Sequence, residues 1–276
     1  MTTAQKIIKY IAVAFAFLLI FTIISSIAAG FELIGNAFAP SKDAKENIEE
    51  IWKSTSSDIS LLDVDLKFSK LNIKKGDTFK AVSNSKYISV TQDENKIKIK
   101  DNKKFTLGSS LESEVTLYIP DEFILDTANI ESGAGSMYIE SLYAYKLNLN
   151  LGAGKVIIDH IYSEKTDIDA GAGKFEIKSG ALQNLDFDMG VGETTIYASI
   201  TGKSEIDAGV GNLNINLFGD EDKYQIEFSK GIGNIKLGDR DISDGEIVGN
   251  GLETIKIDGG IGSIKVNFVN EWLVKY

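Results

Sequence analysis

Seven glycine pairs of the form Gly-x-Gly punctuate the second half of this 276-residue chain: Gly133-Ala134-Gly135, Gly152-Ala153-Gly154, Gly171-Ala172-Gly173, Gly190-Val191-Gly192, Gly209-Val210-Gly211, Gly231-Ile232-Gly233 and Gly260-Ile261-Gly262. The first five begin 19 residues apart, and the next two follow after 22 and 29. A period near 20 is the mark of stacked coils, each a small unit that cannot bury its apolar face alone. Such a pattern fixes an architecture and names no reaction.

Apolar and polar residues alternate on both sides of each pair, and side chains on a strand change face with period two. Before the glycines the inward column reads Leu147, Leu149 and Leu151 in one repeat and Leu185, Phe187 and Met189 in another. After them the apolar residues, such as Val156 and Ile158 or Leu213 and Ile215, fall on the opposite parity. One extra residue must therefore be absorbed between the two runs, so the chain bends at each Gly-x-Gly. Glycine accepts the dihedrals and the close backbone approach that such a bend needs. These fourteen glycines are read as structural. The fold expected is all-β: a single-stranded β-solenoid, or β-helix, of about seven rungs of ~19 residues stacked ~4.8 Å apart. The middle residue of the pair grows from Ala to Val to Ile along the chain, as a core of changing width would require.

Ahead of the repeats, Leu62, Val64, Leu66 and Phe68, then Ile97 and Ile99, then Val115, Leu117 and Ile119 alternate with polar residues, and Pro120-Asp121 marks a turn. Residues 60–125 are thus expected to be β-strands capping the solenoid of residues 126–276, whose terminal segment from Asn270 to Tyr276 would cap the other end. Residues 41–53 read as a short helix, with Ser41 as N-cap and Ile48, Ile51 and Trp52 on one face. They belong to a stalk of residues 32–59.

The N-terminus has a different character. Residues 10–31 carry no charge and are mostly apolar, and about 20 helical residues cross a hydrocarbon core of roughly 30 Å. Lys6 and Lys9 precede this stretch and Glu32 follows it, so the positive-inside bias sets residues 1–9 in the cytoplasm and the remainder outside. The expectation is one transmembrane helix over 10–31, a single-pass cell-membrane protein with an extracytoplasmic C-terminal domain. A cleaved secretory signal ending near Ala28-Ala29 or Ala37–Ala39 is the competing reading.

Composition excludes several chemistries. There is no cysteine, which removes disulfides, thiolate metal sites and cysteine nucleophiles. A formal charge of −11 with a single arginine, Arg240, argues against nucleic acid. His160 is the only histidine and would have to serve any Ser-His-Asp triad, yet no nucleophile-elbow motif accompanies it. The Gly-x-Gly pairs lack the third glycine of a dinucleotide fingerprint, and Gly154-Lys155 and Gly173-Lys174 lack the rest of a P-loop. No catalytic residue and no tightly bound cofactor are expected.

One outward face repeats its polar and acidic residues from rung to rung. If the rungs stack in register, Asn129, Asn148, Asp167, Asp186, Glu205 and Glu227 line up, as do Glu131, Asn150, Asp169, Asp188 and Asp207. Like charges would then sit about 5 Å apart, costing about 1 kcal/mol per pair in water and about 3–4 at an effective dielectric of 20. A solvated acidic face is the plain reading. A ladder of Asp167, Asp169, Asp186, Asp188, Glu205 and Asp207 that binds calcium weakly is the functional one. Residues 65–104 are rich in lysine while 161–210 are acidic, which solubility explains, and which would also suit a basic patch facing a membrane or an anionic wall polymer.

The run Leu117-Tyr118-Ile119-Pro120 and, from Ile130, the stretch IESGAGSMYIESLYAYKLNLNLGAGKVIIDHI resemble the bacterial putative-adhesin family of membrane-anchored β-solenoid proteins, a family of unknown function. The similarity covers residues 60–268, with longer spacings before the sixth and seventh pairs than the family shows. It implies the solenoid fold and a surface location, and transfers no catalytic residue. The functional expectation is a non-enzymatic, membrane-anchored binding or scaffold module of the cell envelope, meeting a cell-wall polymer or a surface protein. The alternatives are a self-assembling structural solenoid stacked end to end and an accessory protein of envelope stress.

Overall fold

Each alternating stretch is a strand in the computed structural model, which describes residues 48–54, 58–103 and 113–270. A coil consists of three legs. The first precedes a Gly-x-Gly, as in Leu185–Asp188; the second follows it, as in Ala172–Ile177; the third is short, as in Gly180–Gln183. Legs of successive coils pair in parallel and in register. Asp186 lies between Asp167 and Glu205, Val191 between Ala172 and Val210, and Ala181 between Tyr162 and Ser199. The inward residues of all three legs make one continuous core: Ile168, Phe187 and Ile206 from the first, Phe175, Ile196 and Ile215 from the second, Ile161, Leu182 and Ile200 from the third. The third leg was not expected, because a four-residue strand is too short for a period-two pattern to stand out.

The bend between first and second legs requires glycine for a steric reason. Gly192 has φ +140°, and a Cβ built on it would lie 1.9 Å from the carbonyl oxygen of Gly173 in the coil beneath. Gly171, with φ +57°, would put a Cβ 1.8 Å from the carbonyl oxygen of Leu151. Contacts this short to backbone leave no side chain room to turn away. The middle residues do not sit in the core as expected. Ala153, Ala172, Val191 and Val210 are half-buried along the corner, and Ile232 is 62% exposed.

The coils do not stack in sequence order. Val210–Phe218 pairs with Ile261–Val269, and that strand pairs on its far side with Ile232–Leu237. Likewise Glu253–Asp258 lies between Lys203–Asp207 and Tyr224–Ser229. The last coil is therefore inserted between its two predecessors, and the irregular spacings of 22 and 29 belong to the chain that must pass around it. The other end mirrors this. Leu61–Leu66 lies between residues 127–132 and Lys96–Asp101, and Lys70–Gly76 pairs with both residues 137–139 and Glu114–Pro120. The strands ahead of Pro120 thus extend the parallel ladders.

Antiparallel strands close the stack at each end. Lys80–Ser83 and Ile88–Asp93 cover one end, with Glu49–Lys53 laid against Lys80–Ser83; Arg240–Asp241 and Ile247–Gly249 cover the other. Covered edges leave few open backbone groups on which a second sheet could build. Glu49–Lys53 corrects the expected helix over 41–53 within its described part: pairing with Lys80–Ser83 overrides a weak helical pattern, and Trp52 and Ile51 pack against the core. The start of that helix and the expected cap over 271–276 lie outside the described residues.

The expected transmembrane helix over 10–31 also lies outside them. Among the described residues no helix is long and apolar enough to cross a membrane; their only helical element is the 3-10 turn Glu221–Lys223. The single-pass, N-in localisation drawn from that span is therefore withdrawn.

The steric account makes a direct prediction. Gly192→Val should destabilise the fold by about 2–4 kcal/mol, since it adds backbone strain to a clash with a carbonyl that cannot retreat. Lys155→Ala, at an exposed position one residue past a bend, should stay within about 0.5 kcal/mol. Urea unfolding of both variants measures the difference.

Candidate functional site

The outward face of the first legs carries the acidic columns, and parallel pairing at a fixed register holds them in line. Asp167, Asp186 and Glu205 form one row; Asp169, Asp188 and Asp207 form the next. Near the start of the first row Asn148 donates an amide hydrogen bond to Asn129, which confirms the register there. Insertion of the last coil then changes the pattern. Lys256 occupies the place between Glu205 and Glu227, and Asp258 that between Asp207 and Ser229. The expected Glu205–Glu227 neighbours are thus separated by a lysine.

Lys256 Nζ lies 2.7 Å from Glu205 Oε1 and 2.5 Å from Asp258 Oδ2. Its hydrogen bonds to Asp258 and then to Glu205 push its pKa up. The same ammonium, followed by the Ser229 hydroxyl, holds the Asp258 carboxyl below its ordinary value. Asp186 goes the other way: burial, then the charges of Asp167, Asp188 and Glu205, raise it. Asp207 is raised by burial and by Asp258, Asp188 and Glu205, against the pull of Lys256. One carboxylate oxygen each from Glu205, Asp207 and Asp258 lies within 4.8 Å of the others. Of the residues expected to hold calcium, Glu205 and Asp207 come together in this group, while Asp167, Asp169, Asp186 and Asp188 continue as paired rows. The group already contains a cation, the Lys256 ammonium.

Beside the acidic row runs a polar one in the order Lys165, Asn184, Lys203, Thr254 and Gln225, and the two rows line a shallow groove of about 620 Å3. On the second legs, Tyr138 donates to Asp159 Oδ2 at 2.5 Å and Lys178 Nζ lies 2.7 Å from Asp159 Oδ1. The Asp159 hydrogen bond, with some burial, pushes the Tyr138 hydroxyl up to about 12. His160, next in sequence to Asp159, is half-buried on the same strand. In the lysine-rich region, Lys96 and Lys98 converge on Asp63 at 2.7 and 3.6 Å. Part of that basic patch is thus neutralised within the fold.

A family model described as Toastrack DUF4097 matches residues 109–267, more than half of the chain. The chain belongs to the Toastrack DUF4097 family. No curated protein matches it. Solved structures that it resembles include a putative cell adhesion protein from Clostridium sporogenes, at 13% identity over 81% of this chain and 100% of that one with TM-score 0.35. A putative adhesin from Bacteroides fragilis is similar at 12% identity, over 82% and 98% of the two chains, with TM-score 0.34. A putative lipid binding protein from Parabacteroides distasonis is similar at 16% identity, over 80% and 96%, with TM-score 0.39.

Sequence reasoning about the Toastrack coils missed Lys256 and Asp258. Both lie in the last repeat, and only the order of coils brings them against Glu205 and Asp207. The one available signal was the lysine itself, standing where earlier repeats carry an acid.

Two predictions come from these charges. Because the folded-state pKa of Asp186 is raised above the ordinary 3.8, the folded chain holds this proton more tightly than the unfolded one. Stability therefore falls as pH rises through that window, and the charged carboxylate is a cost at neutral pH. Asp186→Asn should raise Tm at pH 7, on the order of 1 °C given solvent screening, with the gain fading below pH 3.8. Asp258→Asn should lower Tm at pH 7, because a depressed pKa adds stability that is lost only as pH falls through the folded value. Thermal melts of both variants from pH 3 to 7 test the opposite signs.

Removing the internal cation is the second test. Lys256→Gln should lower Tm and make millimolar calcium more stabilising than sodium chloride of equal ionic strength, since three adjacent carboxylates lose their counter-charge. Native protein should respond alike to the two salts.

Proposed function

We propose that this Toastrack chain is a non-catalytic binding module that engages an elongated polar partner along its first-leg face. The observation that carries this reading is the groove in which Lys165 and Lys203, two coils apart with Asn184 between them, face an acid row of Asp167, Asp186 and Glu205. Stacked coils repeat the acidic positions at about 4.8 Å, with lysines beside them two coils apart, so a polymer bearing amines and carboxylates along its length meets both signs in the groove. The core between the legs is filled by large apolar side chains. Chemistry on a small substrate would need an enclosed, dry site, and the groove is shallow and open to solvent. A cell-wall polymer with a zwitterionic repeat fits these rows, as does the charged surface of another protein. The seven Gly-x-Gly bends, 19 residues apart in the regular part, supply the length of the face. End-to-end self-assembly is disfavoured by the antiparallel strands that cover both ends of the stack.

Co-sedimentation with purified peptidoglycan is the test. The native protein should pellet with it in low salt and be released by salt, and the double variant Lys165→Glu, Lys203→Glu should bind at least about tenfold more weakly. Equal binding of native and variant protein would remove the groove from the reading; no binding by either would remove the wall polymer.

A further inference from the structure

We propose that the last coil is exchangeable, so that two copies of this chain form an interlocked dimer in which each inserts its residues 253–269 into the other. The inference is independent of the polymer-binding reading and begins from the order of coils. Glu253–Asp258 and Ile261–Val269 fill a slot whose walls are Lys203–Phe218 on one side and Tyr224–Leu237 on the other. The walls present the same register to the insert: Val210 and Ile232 both lie opposite Ile261.

The slot is selective. With the insert absent, closing the walls would bring Glu205 onto Glu227, because Lys256 is what stands between them. Repulsion of that pair disfavours a collapsed slot and favours any coil that carries a lysine at this place. A second copy supplies the same coil, with the same ladders and the same ion pairs to Glu205 and Asp258. Exchange therefore conserves the contacts of the closed monomer, and concentration decides between the two forms.

The segment between the outer wall and the insert has the properties of a hinge. It is held to the wall by two short antiparallel pairings, at Arg240–Asp241 and Ile247–Gly249, by backbone hydrogen bonds from Ile242, Gly245 and Gly251, and by the buried side chains of Ile242 and Val248, all of which must open for exchange. Gly238 and Gly245 have φ of +60° and +71° with nothing packed where a Cβ would be. It also carries two apolar side chains that the monomer leaves in water, Leu252 at 93% and Ile247 at 55% exposure. In an exchanged dimer the two hinge segments cross at the twofold axis, and a self-complementary contact there would bury these residues against their counterparts.

The cysteine-free chain permits a clean test. Asn214 and Lys265 are register partners, and adjacent strands lie about 4.8 Å apart, within reach of a disulfide. Asn214→Cys protein and Lys265→Cys protein are mixed at high concentration, warmed below the melting transition, then oxidised. Exchange should yield a covalent dimer several-fold above that from a Lys178→Cys and Lys265→Cys mixture. Dimer no more abundant than in that control, while both cysteines in one chain close internally, overturns the proposal. Unmodified protein, tagged and untagged, is annealed together and analysed by sedimentation as an independent measurement. Mixed dimers that grow with concentration and separate slowly on dilution support exchange; monomer at every concentration overturns it.

Discussion

Everything in this fold depends on how closely one bend lies upon the next. At Gly192 a single added carbon would come within 1.9 Å of the Gly173 carbonyl oxygen, and the same contact recurs from Gly211 to Gly192 and from Gly173 to Gly154. The bends form a column of backbone on backbone, in which a carbonyl of one coil fills the place of a missing side chain in the next. That column sets the register of the legs on either side. With the register fixed, every inward column is committed to the core and every outward column to solvent, since a slip of one residue would reverse both.

The same register makes the charged face hard to relax. Parallel in-register stacking places like residues over like, which suits Leu149 and Phe187 in the core and strains Asp167, Asp186 and Glu205 outside it. Moving the strands apart would break the bends, so relief must come from what is inserted. The last coil supplies it, because Lys256 falls in the acidic row next to Glu205 and its ammonium also reaches Asp258. Asp186, one coil removed from Glu205, is partly buried among the charges of Asp167, Asp188 and Glu205 and keeps a raised pKa. Position in the stack, more than residue type, decides which carboxylates are stabilised.

The solenoid was legible in sequence because its two strongest devices are local. A glycine every 19 residues and a switch of parity across it are visible within one repeat, and Met137, Ile139, Leu213 and Ile215 are buried as that switch requires. What was not legible depends on distant partners. The third leg is too short to show a period, and the strand Glu49–Lys53 exists because Lys80–Ser83 lies beside it. The order of coils leaves only the indirect trace of two long spacings. The acidic columns were placed correctly as far as Glu205 and Asp207, and failed at the step to Glu227, where a non-sequential coil enters. The same failure hid Lys256, the residue that matters most to the electrostatics of the face.

Insertion at both ends also bears on how the stack resists fraying. In a simple repeat array the terminal coil pairs on one side only and opens first. Here the coil nearest each described end of the sequence pairs on both sides. Glu253–Asp258 must break ladders with Lys203–Asp207 and Tyr224–Ser229 together, and Leu61–Leu66 must leave both Lys96–Asp101 and residues 127–132. The outermost coils lie mid-sequence, tethered by chain on both sides, so their opening frees a loop, and closing that loop again costs less entropy than recapturing a free end. The arrangement shifts the weak points from the ends of the sequence to the covering strands Ile88–Asp93, Arg240–Asp241 and Ile247–Gly249. Local opening should therefore start at these covers, with the inserted coils held until the walls around them separate.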